Sequence, residues 1–153
     1  MDAVKIVNKI NEEHGTIKNV YFLACGGSLV DLYPGYYFVR AESAVMDAQW
    51  IPAREFALTP PKKLGKDSLL IICSHSGKTK ECLEAAKTGM DAGAAVVTMT
   101  HAPGSPCDTD KWISVVYDWA PGVKEAEKPQ GIVLRILNEL MKVQEPGYKL
   151  YDK

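Results

Sequence analysis

Apolar residues along this chain follow two rhythms. Val4, Val7 and Ile10 recur at helical spacing and Gly15 follows them, so residues 2 to 14 read as a first helix. Elsewhere the apolar residues come in short unbroken runs. "KNVYFLAC" (18 to 25), "SLLIIC" (68 to 73), "AAVVTMT" (94 to 100) and "WISVVYD" (112 to 118) are strand-like, and "AQWIPA" (48 to 53) is a weaker strand. Helical spacing returns between them, over about 28 to 44 and 78 to 92. Ile132, Leu134, Ile136, Leu137, Leu140 and Met141 give a closing amphipathic helix. Pro34 must sit in the early turns of the second helix or kink it, and "PPKKLGKD" reads as a surface connection. Nearly continuous apolar strands alternating with helices predict a parallel sheet covered on both faces. The expectation is one α/β domain over residues 1 to 153. It has three layers, α/β/α, around a five-stranded parallel sheet of the flavodoxin-like kind.

Composition agrees with one globular domain. The chain has 153 residues, 46% hydrophobic and 24% charged, with a formal charge of −1. That balance offers no basic face, so nucleic acid is not expected as a partner. The N-terminus has no signal-peptide core, and no apolar run reaches the roughly 20 residues of a membrane helix. A cytoplasmic protein without a membrane partner is expected. Cys25, Cys73, Cys82 and Cys107 show no zinc spacing, and free thiols suit a reducing compartment. Cys25 and Cys73 end strands and read as packing, with nothing basic beside them to activate a thiolate.

The chemistry should sit outside the carboxyl ends of the strands, near a topological switch point. Three such ends carry small polar residues. Gly26, Gly27 and Ser28 follow the first strand; Ser74, His75, Ser76, Gly77 and Thr79 follow the third; His101, Gly104 and Ser105 follow the fourth. "GKT" at 77 to 79 resembles the end of a nucleotide-binding P-loop, but that motif needs a glycine at 72, where Ile72 stands. Hydroxyls and free N–H groups at helix starts favour an anion, and glycines let backbone approach it. Taken singly, Ser28 and Ser74 read equally well as helix caps or turn residues. Taken together on neighbouring strand ends, they describe a phosphomonoester site. No carboxylate cluster lies among them, so neither metal nor cofactor is expected. His14 reads as a solvated residue near a helix end and His101 as an ordinary loop residue. Tyr33, Tyr36 and Tyr37, spaced by three and four, suit core or a subunit interface.

These loops resemble the sugar isomerase (SIS) domain family. Cys25, Gly26, Gly27 and Ser28 match its C-G-x-S loop; Ser74, Ser76, Gly77 and Thr79 match its S-x-S-G-x-T loop. Ala53, Arg54, Glu55 and Phe56 match its A-x-E-F, and the three together span residues 18 to about 110 in order. The first loop is most similar to that of bacterial fructosamine 6-phosphate deglycases acting on fructoselysine or glucoselysine 6-phosphate. The resemblance implies that Gly27, Ser28, Ser74, His75, Ser76 and Thr79 bind a phosphosugar. His75 stands where glucosamine-6-phosphate synthase has a glutamine, and Lys78 replaces an acidic residue. It further implies a second SIS domain in the same chain and a homo-oligomer. The family's catalytic glutamate and ring-opening histidine belong to an E-L-K-H-G-P-like stretch of that second domain, which is absent from these residues. The chain is therefore expected to be the N-terminal half of a deglycase, with no catalytic residue of its own. "VQEPGYKLYDK" resembles a linker into the second half. The alternatives are a sugar-phosphate-binding regulatory module and a single-domain phosphosugar isomerase.

Overall fold

The computed structural model describes residues 1–149. Its elements run α1 (Ala3–His14), β1 (Asn19–Ala24), α2 (Gly27–Glu42), β2 (Asp47–Pro52), α3 (Ala53–Leu58), β3 (Ser68–Cys73), α4 (Lys80–Asp91), β4 (Ala95–Thr100), β5 (Ile113–Val116) and α5 (Pro129–Gln144), with one 3₁₀ turn at Glu125–Glu127. The five strands form one sheet in the order β2-β1-β3-β4-β5, and every pairing is parallel. This is the expected flavodoxin-like order, with its switch point between β1 and β3.

Burial explains which strands read most clearly. All six residues of β3 and of β4 are buried, as are five of the six in β1, because helices cover both faces of these central strands. The edge strand β2 alternates exposed and half-buried residues, hence its weaker signal. On one face Val7, Ile10, Leu32, Val39, Ile136 and Leu140 bring α1, α2 and α5 onto Phe22, Leu69 and Val97. On the other, Phe56 of α3 and Cys82, Ala85 and Ala86 of α4 pack on Tyr21, Leu23, Leu70 and Ile72. A Cβ on Gly89 would meet Leu70 Cδ2 at 2.4 Å, so that glycine lets α4 sit close on the sheet.

Several local expectations need correction. Ala53, expected to end the second strand, instead opens a helix, Ala53–Leu58, whose six residues show too few turns for their periodicity to declare itself. Ser28 does not cap α2, which opens from Gly26 (φ +57°), leaving Ser28 inside the first turn. Pro34 lies within that helix. His14 is not solvated: its side chain is 13% exposed and Nδ1 lies 3.0 Å from the carbonyl of Lys66. Tyr33 and Tyr37 are exposed rather than core. The rings of Tyr33 and Tyr36 pack on Trp50 of the edge strand, making an aromatic surface patch. Of the supposed linker, Val143 and Gln144 belong to α5. Gln144 brackets Ile17, accepting from its N–H at 2.6 Å and donating to its carbonyl at 3.0 Å. Glu145 is buried and accepts from Ser43 Oγ and Ala44 N, tying the ends of α5 and α2 together. Residues 150–153 lie outside the described part. The four cysteines are free thiols, and no helix among the described residues is long and apolar enough to cross a membrane.

Candidate functional site

The loop after β3 is built around its own hydroxyls. Ser74 is 2% exposed, and its Oγ accepts from Gly77 N at 3.1 Å and pairs with Thr79 Oγ1 at 2.8 Å. Ser76 Oγ accepts from Lys78 N at 3.2 Å. Backbone bonds bolt the loop to the segment after β4: His101 N donates to His75 O, and Cys107 N donates to Gly77 O at 3.0 Å. Thr100 Oγ1 donates to His75 O as well. Gly77 has φ +69°, and a Cβ there would fall 1.9 Å from Ser105 Oγ and 2.8 Å from Thr100 Oγ1. No other residue fits that crossing.

Thr79 is the N-cap residue of α4, yet its hydroxyl turns to Ser74 instead of capping. Gly26, at the start of α2, has no side chain to offer. Neither of these two helices has a side-chain cap. Both present first-turn N–H groups at the carboxyl edge of the sheet, one on each side of the switch point. Neither serine caps its helix: Ser28 lies inside the first turn of α2, while Ser74 organises a turn, as its reading as a turn residue expected.

The two loops meet over the end of β3. Burial pushes the Cys73 thiol up to about 12; Asp31 pushes the same way, while the Ser28 and Tyr117 hydroxyls oppose it. A thiol held protonated here is packing, as its sequence context indicated. Asp31 lies one helical turn beyond Ser28. Partial burial raises its carboxyl above the ordinary carboxylate range, and His75 opposes that shift. Burial also raises the Tyr117 phenol, with Cys73 adding to it, so the hydroxyl stays protonated.

Sequence reasoning named His75 and missed its surroundings. His75 Nδ1 lies 2.9 Å from Tyr117 Oη, and its ring stacks on His101 with centroids 5.0 Å apart and planes at 13°. His101 is thus no ordinary loop residue: its Nδ1 lies 3.2 Å from the Tyr117 carbonyl, which can only accept, so that nitrogen carries the proton. Trp119 meets His75 edge-on at 5.0 Å. The available signal was positional. Tyr117 and Trp119 follow β5 at the same edge of the sheet as the other loops. All six expected site residues lie at the ends of β1 and β3, with Ser74 buried, Ser28 and Thr79 half-buried, and Gly27 and His75 exposed. Ser76 sits between His75 and Gly77 in the same turn. A separate hollow of about 370 Å³, lined by Ile10, His14, Ala95 and Trp112, opens at the opposite, amino end of the strands and has no such loops.

The fold is that of a sugar isomerase (SIS) domain, and the chain is related in sequence to proteins of that kind. It is similar to fructosamine deglycase FrlB of Bacillus subtilis, with 35% identity over 134 residues, 88% of this chain and 41% of the relative. A solved structure from Salmonella typhimurium, provisionally named a phosphosugar isomerase, matches 98% of this chain and 45% of its own with a TM-score of 0.90 and 33% identity. A similarly named one from Bacillus subtilis covers 96% and 47%, with a TM-score of 0.84 and 32% identity. The chain spans less than half the length of each of these relatives. No family model matches it.

Proposed function

We propose that this domain binds the phosphate and hydroxyls of a phosphosugar at the β1–β3 switch point, as one half of a fructosamine 6-phosphate deglycase. The observation that carries the reading is the pair of uncapped helix starts, α2 and α4, which follow the glycine- and serine-bearing loops at the carboxyl ends of the adjacent strands β1 and β3. Phosphate there would receive first-turn N–H groups favoured by both helix dipoles. Gly27 admits close backbone approach, Ser28, Ser76 and Thr79 supply hydroxyls, and Ser74 and Gly77 hold the turn in shape. His75, beside this cradle, serves as a donor to ligand oxygen.

The reaction of such a deglycase is a proton shift between C1 and C2 of the ketosamine. The resulting imine takes up water and yields glucose 6-phosphate and the free amine. The shift needs a positioned base. The SIS resemblance puts that base and the ring-opening group in a second domain, which we propose as this domain's partner in the same chain. A homo-oligomer belongs to the same proposal. A cradle that holds ground state and transition state alike supplies binding without lowering the chemical barrier.

Titration calorimetry tests the reading. Glucose 6-phosphate should bind and unphosphorylated glucose should not; equal binding of both would sink the phosphate assignment. In a coupled assay for glucose 6-phosphate release, these 153 residues alone should show no turnover of fructosamine 6-phosphate. Turnover abolished by His75→Ala would place the catalytic groups in this half instead.

A further inference from the structure

Four rings gather on the β4–β5 side of the cradle, at the carboxyl ends of β3, β4 and β5. His75 and His101 stack at 5.0 Å, Trp119 stands edge-on to His75 at 5.0 Å, and Tyr117 lies within 6.1 Å of both His101 and Trp119. Of these, His75, His101 and Tyr117 are fastened together. Tyr117 N donates to Thr100 O, His101 N donates to His75 O, and the Nδ1 atoms of both histidines lie within hydrogen-bond distance of Tyr117 oxygens. Tyr117, buried, is the base of the group, while Trp119 is 52% exposed on its rim. Together they form a π-faced shelf with Trp119 exposed on its rim, and only His75 also borders the cradle.

Its chemistry differs from that of the cradle. The loops after β1 and β3 offer hydroxyls and N–H groups, which suit phosphate and sugar hydroxyls. The shelf offers ring faces and edges, which suit hydrocarbon and a protonated amine. His75 belongs to both, so a ligand whose phosphate lies in the cradle can lay its other end on the rings. We infer that the His75–His101–Tyr117–Trp119 shelf is the subsite for the amine-bearing substituent of the phosphosugar, with Trp119 as its specificity-determining residue. The inference rests on the phosphosugar reading above and adds the part of the ligand which that reading leaves unassigned.

Calorimetry with two probes tests it: fructose 6-phosphate, and the same sugar phosphate carrying a lysine side-chain amine on C1. The unaltered chain should prefer the amine-bearing probe by about fivefold, the size of one ring contact. Trp119→Ala should bring the ratio of the two affinities to about one, and Trp119→Phe, which keeps a ring, should restore most of the preference. A ratio unchanged in Trp119→Ala, or an unaltered chain without preference, overturns the inference while leaving the phosphate cradle standing. Failure of the unaltered chain to bind either probe overturns the phosphosugar reading and this inference with it.

Discussion

The loops after β1 and β3 carry the same kinds of residue and are built differently. In the β3 loop the Ser74 hydroxyl takes Gly77 N and Thr79 Oγ1, the Ser76 hydroxyl takes Lys78 N, and Gly77 is wedged against Ser105 and Thr100. In the β1 loop a Cβ added at Gly26 or Gly27 would meet nothing within 4 Å. The β3 loop is a finished turn, fixed before any ligand arrives. The β1 loop is open backbone leading into a helix. A phosphosugar site gains from both: the rigid loop avoids an ordering cost on binding, and the open one leaves room for the ligand.

The sharpest way to break this comparison is to give each loop a side chain. Gly77→Ala combines a left-handed backbone with a Cβ 1.9 Å from Ser105 Oγ and 2.6 Å from its Cβ. Overpacking and backbone strain together should cost about 3–5 kcal/mol of unfolding free energy. Gly26→Ala adds strain from φ +57° but no clash, so about 1–3 kcal/mol is expected. Urea unfolding of both variants measures the difference. Equal losses would mean that the β3 loop is no more tightly built than its neighbour.

Much of this arrangement was legible in the sequence, and the remainder was hidden for physical reasons. The buried runs of β1, β3 and β4 and the glycine-serine loops behind them are local signals, so the strand ends and the residues of their loops could be named. The shelf was not legible, because His75 and Tyr117 are 42 residues apart and only the order β3-β4-β5 brings them together. Asp31 was missed for a related reason: on a helix it looks like one more polar residue, and the switch point alone turns it toward His75. Ser28 was misread as a cap because serine is a common choice there, whereas Gly26 had already started the helix.

A second test concerns the junction where both loops meet, above Cys73. Burial holds this thiol protonated to about pH 12, against an ordinary value of 9.0, and also raises Cys82 and Cys107. A group whose folded pKa is raised contributes its full stability below the unfolded value and loses it as pH climbs toward the folded one. Stability should therefore hold up to about pH 9 and fall beyond it, by about 1.4 kcal/mol per pH unit for each thiol still protonated in the fold. Thermal unfolding from about pH 7 to 11 reads this directly. A midpoint that stays level above that unfolded value would show that the junction admits water and that the end of β3 is loosely packed.

The mildest change asks whether the open loop is open for a ligand. Gly27 begins α2 and carries no positive φ, and a methyl placed on it would have no neighbour within 4 Å. Gly27→Ala therefore removes unfolded-state freedom without strain, and stability should rise by about 0.4–1 kcal/mol. If phosphate approaches this backbone, the same methyl stands in its way, and glucose 6-phosphate affinity should fall while the unfolding midpoint climbs. Opposite signs from one substitution are hard to obtain from packing alone. A rise in stability with unchanged affinity would confine the phosphate to the β3 loop and leave the β1 loop as a connection into α2. A loss of stability would mean instead that Gly27 is constrained much as Gly77 is, and that the two loops are alike after all.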